Sequence, residues 1–381
     1  MKRETELRLL DACIERARAR TPPTAGEDRL VPVDKYRDPA RFQRERERLF
    51  RRSFNIVAHS SELAAEGEFV TRDLVGTPTL LVRDKGGRAR AFINVCRHRG
   101  ATVELRERGQ CKRFVCPYHA WTYGTDGALA SVRHRQGFPS LDIQSTRLAE
   151  LPCVEAGGFL WVCPTPREDL SLNDEPTRVM LDELVSLGTE DCVVFAREHK
   201  VWRANWKLIV DGGIESYHFR VAHRQTVGPY FLDTGSIFEQ HGDHLRSVLP
   251  RANIIELADR PRGEWSIRDS THVLYNLFPN TSLLVQERHF DLICVTPLAP
   301  DETRIELTTL VPAPGPEGFS EKARGYWSAN QAFTKKTLYE DFELAEQIQR
   351  GLVTDANQHF RFATFEDALS QWHAHIDGKL D

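Results

Sequence analysis

Two short motifs, whose first cysteines stand twenty residues apart, constrain this chain more than any other feature. Cys96-Arg97-His98 is followed by Cys116-Pro117-Tyr118-His119, that is C-x-H and then C-x-x-H. Two thiolates and two imidazoles in this pattern suit a [2Fe–2S] centre with two Cys on one iron and two His on the other. Neutral imidazoles in place of thiolates leave the cluster less negative. Its potential should therefore lie well above that of an all-Cys cluster. A Cys2His2 set can also bind zinc. Zinc patterns usually pair Cys with Cys and His with His, whereas here each loop supplies one of each.

With 381 residues the chain has room for two or three domains and a substantial core. Its 40% hydrophobic and 28% charged residues are ordinary for a soluble globular protein. A net charge of −4 gives no electrostatic case for nucleic acid or an anionic membrane. No apolar run is long enough to span a bilayer. The start, Met1-Lys2-Arg3-Glu4-Thr5-Glu6, lacks an apolar signal core, so the expected compartment is cytoplasmic. Eight Cys do not make a disulfide scaffold. Those outside the two motifs are expected to be reduced.

Residues 5–20 read as an amphipathic helix, with Leu7, Leu10, Ile14 and Ala17 at spacings of three and four, stopped by Thr21-Pro22-Pro23. A second helix is expected from Pro39 to Arg51. From Asn55 to about Pro164, short β-rich segments alternate with turns, including a hairpin at Asp126-Gly127. Beyond Pro164-Thr165-Pro166 helices mix with strands. Val273–Phe278, Ser282–Gln286, Leu292–Thr296 and Ile305–Val311 read as consecutive antiparallel strands. A long helix capped by Ser320 runs to about Arg350 and stops at Gly351. The expected fold class is α+β. The expected domains are 1–50, helices packing on the last domain; 51–165, all-β with both motifs; and 166–381, sheet plus helices.

A second informative stretch runs from Asn205-Trp206-Lys207 through Asp211, Glu215 and His218 to His223. Two His and one carboxylate from elsewhere would make the facial triad of a non-haem Fe(II) site, with positions left open for O2. On a regular helix His218 and His223 lie about 140° apart. Both can face one metal only if the helix is widened or broken between them, and a π-bulge would serve. Glu215 and His218, three apart, share a face. Chance H-x4-H pairs are common, and one core His plus one surface His is the plain alternative.

The loops Cys96-Arg97-His98-Arg99-Gly100 and Cys116-Pro117-Tyr118-His119-Ala120-Trp121-Thr122-Tyr123 resemble the two ligand loops of Rieske proteins. Ala120 departs from the Gly often found there, but is small enough to keep the loop tight. With H-x4-H about a hundred residues downstream, nearly the whole chain resembles the α subunit of Rieske non-haem iron oxygenases, the ring-hydroxylating family. The resemblance implies a Rieske domain followed by a helix-grip, START-like catalytic domain. It implies one [2Fe–2S] cluster on Cys96, His98, Cys116 and His119. It also implies one mononuclear Fe(II) on His218, His223 and an Asp of the long helix. In Glu340-Asp341-Phe342, within a stretch ending Gln349-Arg350-Gly351-Leu352, the match is Asp341. The family's acid between the two centres falls on Glu215, with Asp211, one turn earlier, as the weaker alternative, and Asn205 is expected near the iron.

The implied activity is that of a terminal oxygenase using O2 and electrons from a separate NAD(P)H-dependent reductase, with or without a ferredoxin. The chain carries no Gly-rich dinucleotide fingerprint of its own. The implied assembly is a homotrimer with electrons crossing between subunits. The expected reaction is hydroxylation or oxidative dealkylation of an aromatic or other small organic substrate. Glu215 in place of the commoner Asp is shared with choline- and carnitine-type monooxygenases, so a quaternary ammonium compound is the alternative. Tyr230, Phe231, Phe238, Tyr275 and Phe278 are candidate pocket residues, or plain sheet core. A Rieske electron carrier would need only the middle domain, and an apolar-ligand binder would need no cluster.

Overall fold

The computed structural model describes residues 1–19, 27–167, 170–233 and 235–381. They form two compact units, one of residues 50–172 and the other of residues 1–49 with 173–381. The Pro-Pro stop expected after the first helix lies outside the described residues. No helix among them is long and apolar enough to cross a membrane.

The middle unit is built almost wholly of antiparallel strands. A five-stranded sheet runs in the order Glu150–Leu151, Ala89–Ile93, Thr77–Arg83, Glu68–Leu74, Arg108–Gln110. A three-stranded sheet joins Cys153–Ala156, Phe159–Val162 and Asn55–His59. A third, Arg113–Val115, Thr122–Gly124 and Leu129–Ser131, carries the second cysteine loop at the tip of its first hairpin. The turn of its next hairpin needs Gly127, whose φ of +77° suits no side chain and whose missing Cβ would collide with the Phe92 ring. Cys96 and Cys116 share one apolar cluster with Phe69, Phe92, Phe114, Trp121 and Tyr123.

The larger unit rests on a seven-stranded antiparallel sheet. Its order is Cys192–Trp202, Glu302–Pro312, Phe290–Ala299, Thr281–Val285, Thr271–Leu277, His244–Pro250, Ile237–His241. The strands Thr271–Leu277, Thr281–Val285 and His244–Pro250 are buried at every residue, so both faces are covered. The helix Glu321–Leu352, capped by Ser320 through the Ala323 N–H, lies against the strands Cys192–Trp202 and Glu302–Pro312 and the helix Trp206–Ile214. It runs through Gly351, which lies in its last turn and does not end it. The fold is α+β, with the sheet gripping the long helix.

The N-terminal helices belong to this unit. Pro39–Glu45, started by Asp38 and Pro39, widens into a π-turn over Arg46–Phe50. Glu45, with no exposed surface, accepts from Lys207 Nζ at 2.6 Å, Trp206 Nε1 at 2.8 Å and Arg41 Nε at 2.8 Å. Burial pulls the Lys207 ammonium down to about 8 despite this partner. The pair ties the N-terminal segment to the helix that leads into the candidate site. Removing one partner strands a buried charge, so Glu45→Ala should cost about 3–5 kcal/mol in denaturant unfolding. Glu45→Leu with Lys207→Met should recover most of that loss. A double variant as unstable as Glu45→Ala would refute this account of the pair.

Candidate metal centres

The two cysteine loops are built alike. In the first, Cys96 N–H donates to the Ala101 carbonyl at 2.8 Å and Gly100 N–H to the Cys96 carbonyl at 3.0 Å. In the second, Cys116 N–H donates to the Trp121 carbonyl at 2.9 Å and Ala120 N–H to the Cys116 carbonyl at 3.0 Å. Each loop closes through a left-handed residue, Gly100 at φ +76° and Ala120 at φ +59°. His98 and His119 turn their Nδ1 atoms toward each other, 3.1 Å apart, and His98 stacks on Trp121 with ring centroids 5.0 Å apart. Both cysteines are buried and both histidines only half-buried. Tyr123 Oη meets Cys96 Sγ at 3.2 Å and accepts the Arg97 N–H at 3.0 Å. Two inner sulfurs and two outer imidazole nitrogens fit a cluster with one all-sulfur iron and one His-ligated iron.

The second centre forms where the helix Trp206–Ile214 stops. Glu215 is extended, with φ −114° and ψ 166°, and a single helical turn, Phe219–Ala222, follows. His218 and His223 flank that turn, so the helix is broken here and no π-bulge is needed to turn both rings inward. His218 Nε2 and His223 Nε2 lie 3.2 Å apart, and Asp341 Oδ1 is 3.3 and 2.9 Å from them. Three ligands on one octahedral face, with bonds of about 2.1 Å, stand about 3.0 Å apart. The donor set fits a facial triad.

The electrostatics ask for a cation. Burial opposes protonation of His218, but hydrogen bonds to Asp341 and Glu215 outweigh it and raise the imidazole to about 10. Burial pushes the Asp341 carboxyl up, but the two imidazoles win and hold it below its ordinary value. Glu215 accepts from His218 Nδ1 and from the backbone N–H groups of Tyr217 and His218. Glu340 accepts from His223 Nδ1 at 2.7 Å and from Thr226 Oγ1 at 2.6 Å. Glu340 escaped the sequence reading. Its only signal was its place beside Asp341, together with the rule that metal-binding imidazoles give their other N–H to a carboxylate.

Two expectations need correction. Asp211 does not face His218; it accepts from Tyr36 Oη at 2.7 Å and His373 Nε2 at 3.0 Å. Asn205 is spent on capping: Oδ1 takes the Lys207 N–H at 3.0 Å, and Nδ2 donates to the Pro300 carbonyl at 2.7 Å. Neither residue lines the cavity described below. Both jobs depend on segments far away in sequence, which spacing could not reveal.

The Rieske [2Fe–2S] domain family matches residues 53–146, and the ring-hydroxylating α subunit (catalytic domain) family matches residues 189–381. The chain belongs to the ring-hydroxylating oxygenase α-subunit family. A Rieske cluster and a mononuclear iron are therefore its cofactors, and its class is the Rieske non-haem iron oxygenases. The glycine betaine monooxygenase oxygenase subunit of Chromohalobacter salexigens is 27% identical, over 87% of this chain and 81% of its own. The carnitine monooxygenase oxygenase subunit of Escherichia coli K12 is 35% identical, over 51% of this chain and 52% of its own. The chain thus matches about half the length of that relative. The structure of a quaternary ammonium Rieske monooxygenase, described for carnitine oxidation and inter-subunit electron transfer, aligns with a TM-score of 0.77 at 23% identity, over 94% of this chain and all of that one. That likeness speaks to fold.

In this oxygenase a cavity of about 550 Å³ has His223 and Asp341 in its wall. Tyr230 and Phe231 line it, as do Phe219, Phe333 and Phe342. The other expected aromatics lie elsewhere. Phe238 borders a separate depression of about 430 Å³ that also holds Glu215 and Glu366. Tyr275 is buried and donates to Glu183 at 3.0 Å, and Phe278 packs edge-on to Trp372. Ala120 supplies a test of the cluster loop. A left-handed non-glycine residue is strained by about 1–2 kcal/mol, offset in part by the greater freedom of glycine in the unfolded chain. Ala120→Gly should raise the midpoint of thermal cluster bleaching and leave the visible spectrum unchanged; a lowered midpoint would contradict the strain.

Proposed function

We propose that His218, His223 and Asp341 hold the catalytic iron of a monooxygenase. On this reading its substrate is a small organic molecule in the adjoining cavity, and Cys96, His98, Cys116 and His119 hold the electron-delivering cluster. The observation that carries the reading is the convergence of two Nε2 atoms and one carboxylate oxygen within hydrogen-bond distance, with two of the three residues in the cavity wall. The bound iron supplies O2 activation. The chain's own residues do the rest. Glu215 and Glu340 fix the imidazole tautomers, and the aromatic wall excludes water and holds the substrate.

The relatives turn the substrate balance toward a quaternary ammonium compound. Betaine and carnitine monooxygenase subunits are among them. A trimethylammonium head can sit on the cavity's aromatic faces through cation–π attraction, worth about 0.5–2 kcal/mol per ring. Hydroxylation at a carbon next to nitrogen would release an aldehyde. An aromatic substrate, favoured by the family's name, is the second reading, and the apolar wall suits it too.

Electrons are proposed to come from a separate reductase and to cross between subunits of a homotrimer. Glu215 supports this, because the depression it borders gives the far side of His218 an approach from outside the cavity. Asp341→Ala should lower iron from about three to about two atoms per chain, abolish turnover and leave the Rieske spectrum intact. Full iron and full activity in that variant would assign the ligand elsewhere. Mixed oligomers of a His119→Ala chain and an Asp341→Ala chain, each inactive alone, should regain part of the activity. Verified mixed oligomers that stay dead would exclude the inter-subunit route.

A further inference from the structure

Arg251 follows the strand His244–Pro250 and is bridged, backbone to backbone, to Phe231. Both residues line the cavity that holds His223 and Asp341. Other buried or half-buried arginines of this unit are well partnered. Arg246 meets Glu183 at 2.6 Å and also Glu239. Arg41 meets Glu45 and Asp377 at 2.8 and 2.7 Å. Arg268 donates to the carbonyls of Gln286 and His289. Arg251 makes no ion pair and no side-chain hydrogen bond among the described residues. Its Nε is buried without a partner, and its guanidinium carbon stands 5.8 Å from the Phe231 ring centroid.

The surroundings explain why this is costly. Burial pushes the guanidinium down from its usual range, and the more distant Glu287 and Asp269 only partly offset it. Glu287 and Arg288 also line the cavity, but both are exposed and pair with each other at 3.6 Å, so Glu287 does not neutralise Arg251. His272, in the same wall, is held neutral: burial first, then Arg251, lowers it to about 3. It can offer a hydrogen bond but no negative charge. Asn253, also in the wall, has a buried Oδ1 without a partner, and its amide can turn to present NH2 instead. A half-buried guanidinium fork facing an apolar cavity, with neutral polar groups beside it, lacks one thing, a planar anion.

We infer that Arg251 binds a carboxylate of the substrate, so that this oxygenase takes small organic acids, betaine-type zwitterions included, and discriminates against choline-like cations and neutral isosteres. The inference rests on the reading of this cavity as the substrate site. A cation without a carboxylate would meet an unneutralised cation there. A neutral molecule would leave the guanidinium desolvated and unpaired. A carboxylate satisfies two of its N–H groups at once.

The test uses holoenzyme with both iron centres loaded. Binding is measured by calorimetry, and by the EPR signal of the ferrous nitrosyl complex at the mononuclear site. The probes are matched pairs: γ-butyrobetaine against choline, and benzoate against benzamide. At least one carboxylate should bind tenfold or more tightly than its partner and perturb the nitrosyl signal. Arg251→Gln and Arg251→Leu should weaken that carboxylate at least tenfold, with iron content and Rieske spectrum as in the parent. Arg251→Lys should retain part of the affinity. Which pair responds separates the zwitterion from the aromatic acid. A panel in which no carboxylate outbinds its partner overturns the inference, as does Arg251→Gln binding like the parent. If choline or benzamide perturbs the nitrosyl signal while the carboxylates show no preference, the cavity remains the substrate site and only the role of Arg251 falls. If a carboxylate binds in the Arg251-dependent way yet leaves the nitrosyl signal untouched, the role of Arg251 stands and the cavity's link to the iron falls.

Discussion

A histidine can offer one ring nitrogen to a metal in a fixed direction only if something else takes the proton on the other. In the larger unit two carboxylates do this. Glu215 takes the Nδ1 side of His218 and Glu340 that of His223, which leaves both Nε2 atoms on the point where Asp341 arrives. The rest of the unit serves this arrangement. The helix Trp206–Ile214 must stop at Ile214, because in the extended backbone at Glu215 one carboxylate can cap two N–H groups and also reach the ring of His218. The single turn that follows brings His223 round. The long helix, held in the grip of the sheet, supplies Asp341 and Glu340 from consecutive positions.

Parts of this were legible in the sequence for a physical reason. The cluster loops are local: four candidate ligands and their tight turns fit in two short segments, so the spacing itself points to the chemistry. The strands from Val273 to Val311 showed as apolar runs. The third residue of the candidate iron site is different. Asp341 lies far from His223 along the chain, among several acids on one helix, and only a family resemblance could single it out. Glu340 hid for the same reason. The break between Glu215 and His218 went unread, although Gly212 and Gly213 in the last turn before it weaken the helix there. It is fixed by capping and by tertiary contacts. Gly351 misled because a glycine near a helix end is a stop signal only where the chain turns left-handed, and this one does not.

The aromatic candidates divide for a related reason. Alternation tells the two faces of a strand apart only when one face is wet. The central strands here are buried on both, so alternation could not tell that Tyr275 is core and not cavity wall, while Phe231 sits on an isolated bridge outside any strand. Arg251 follows such a strand. A lone arginine there reads as an ordinary surface charge at a strand end, and only its lack of a partner, visible in three dimensions, sets it apart.

Two parts of the cavity wall differ in the charge they ask for. At the iron site Asp341 is in the wall, and Glu215 and Glu340 stand behind the imidazoles, so the site is rich in negative charge until a divalent ion offsets it. Around Arg251 the guanidinium is the charge without an ion-pair partner among the described residues: His272 beside it is neutral, and Glu287 of the same wall is exposed and paired with Arg288. If this cavity is the substrate site, such a polarity would orient a substrate as well as select it. A molecule with a carboxylate at one end would place that end at Arg251, away from Asp341. Its apolar or cationic end would then lie nearer the iron, against Phe219, Phe333 and Phe342. Position of attack would then follow from molecular length, because the carboxylate fixes one end and the iron the other. For a betaine-type acid that logic puts the N-methyl region, and for an aromatic acid the far edge of the ring, at the reacting end.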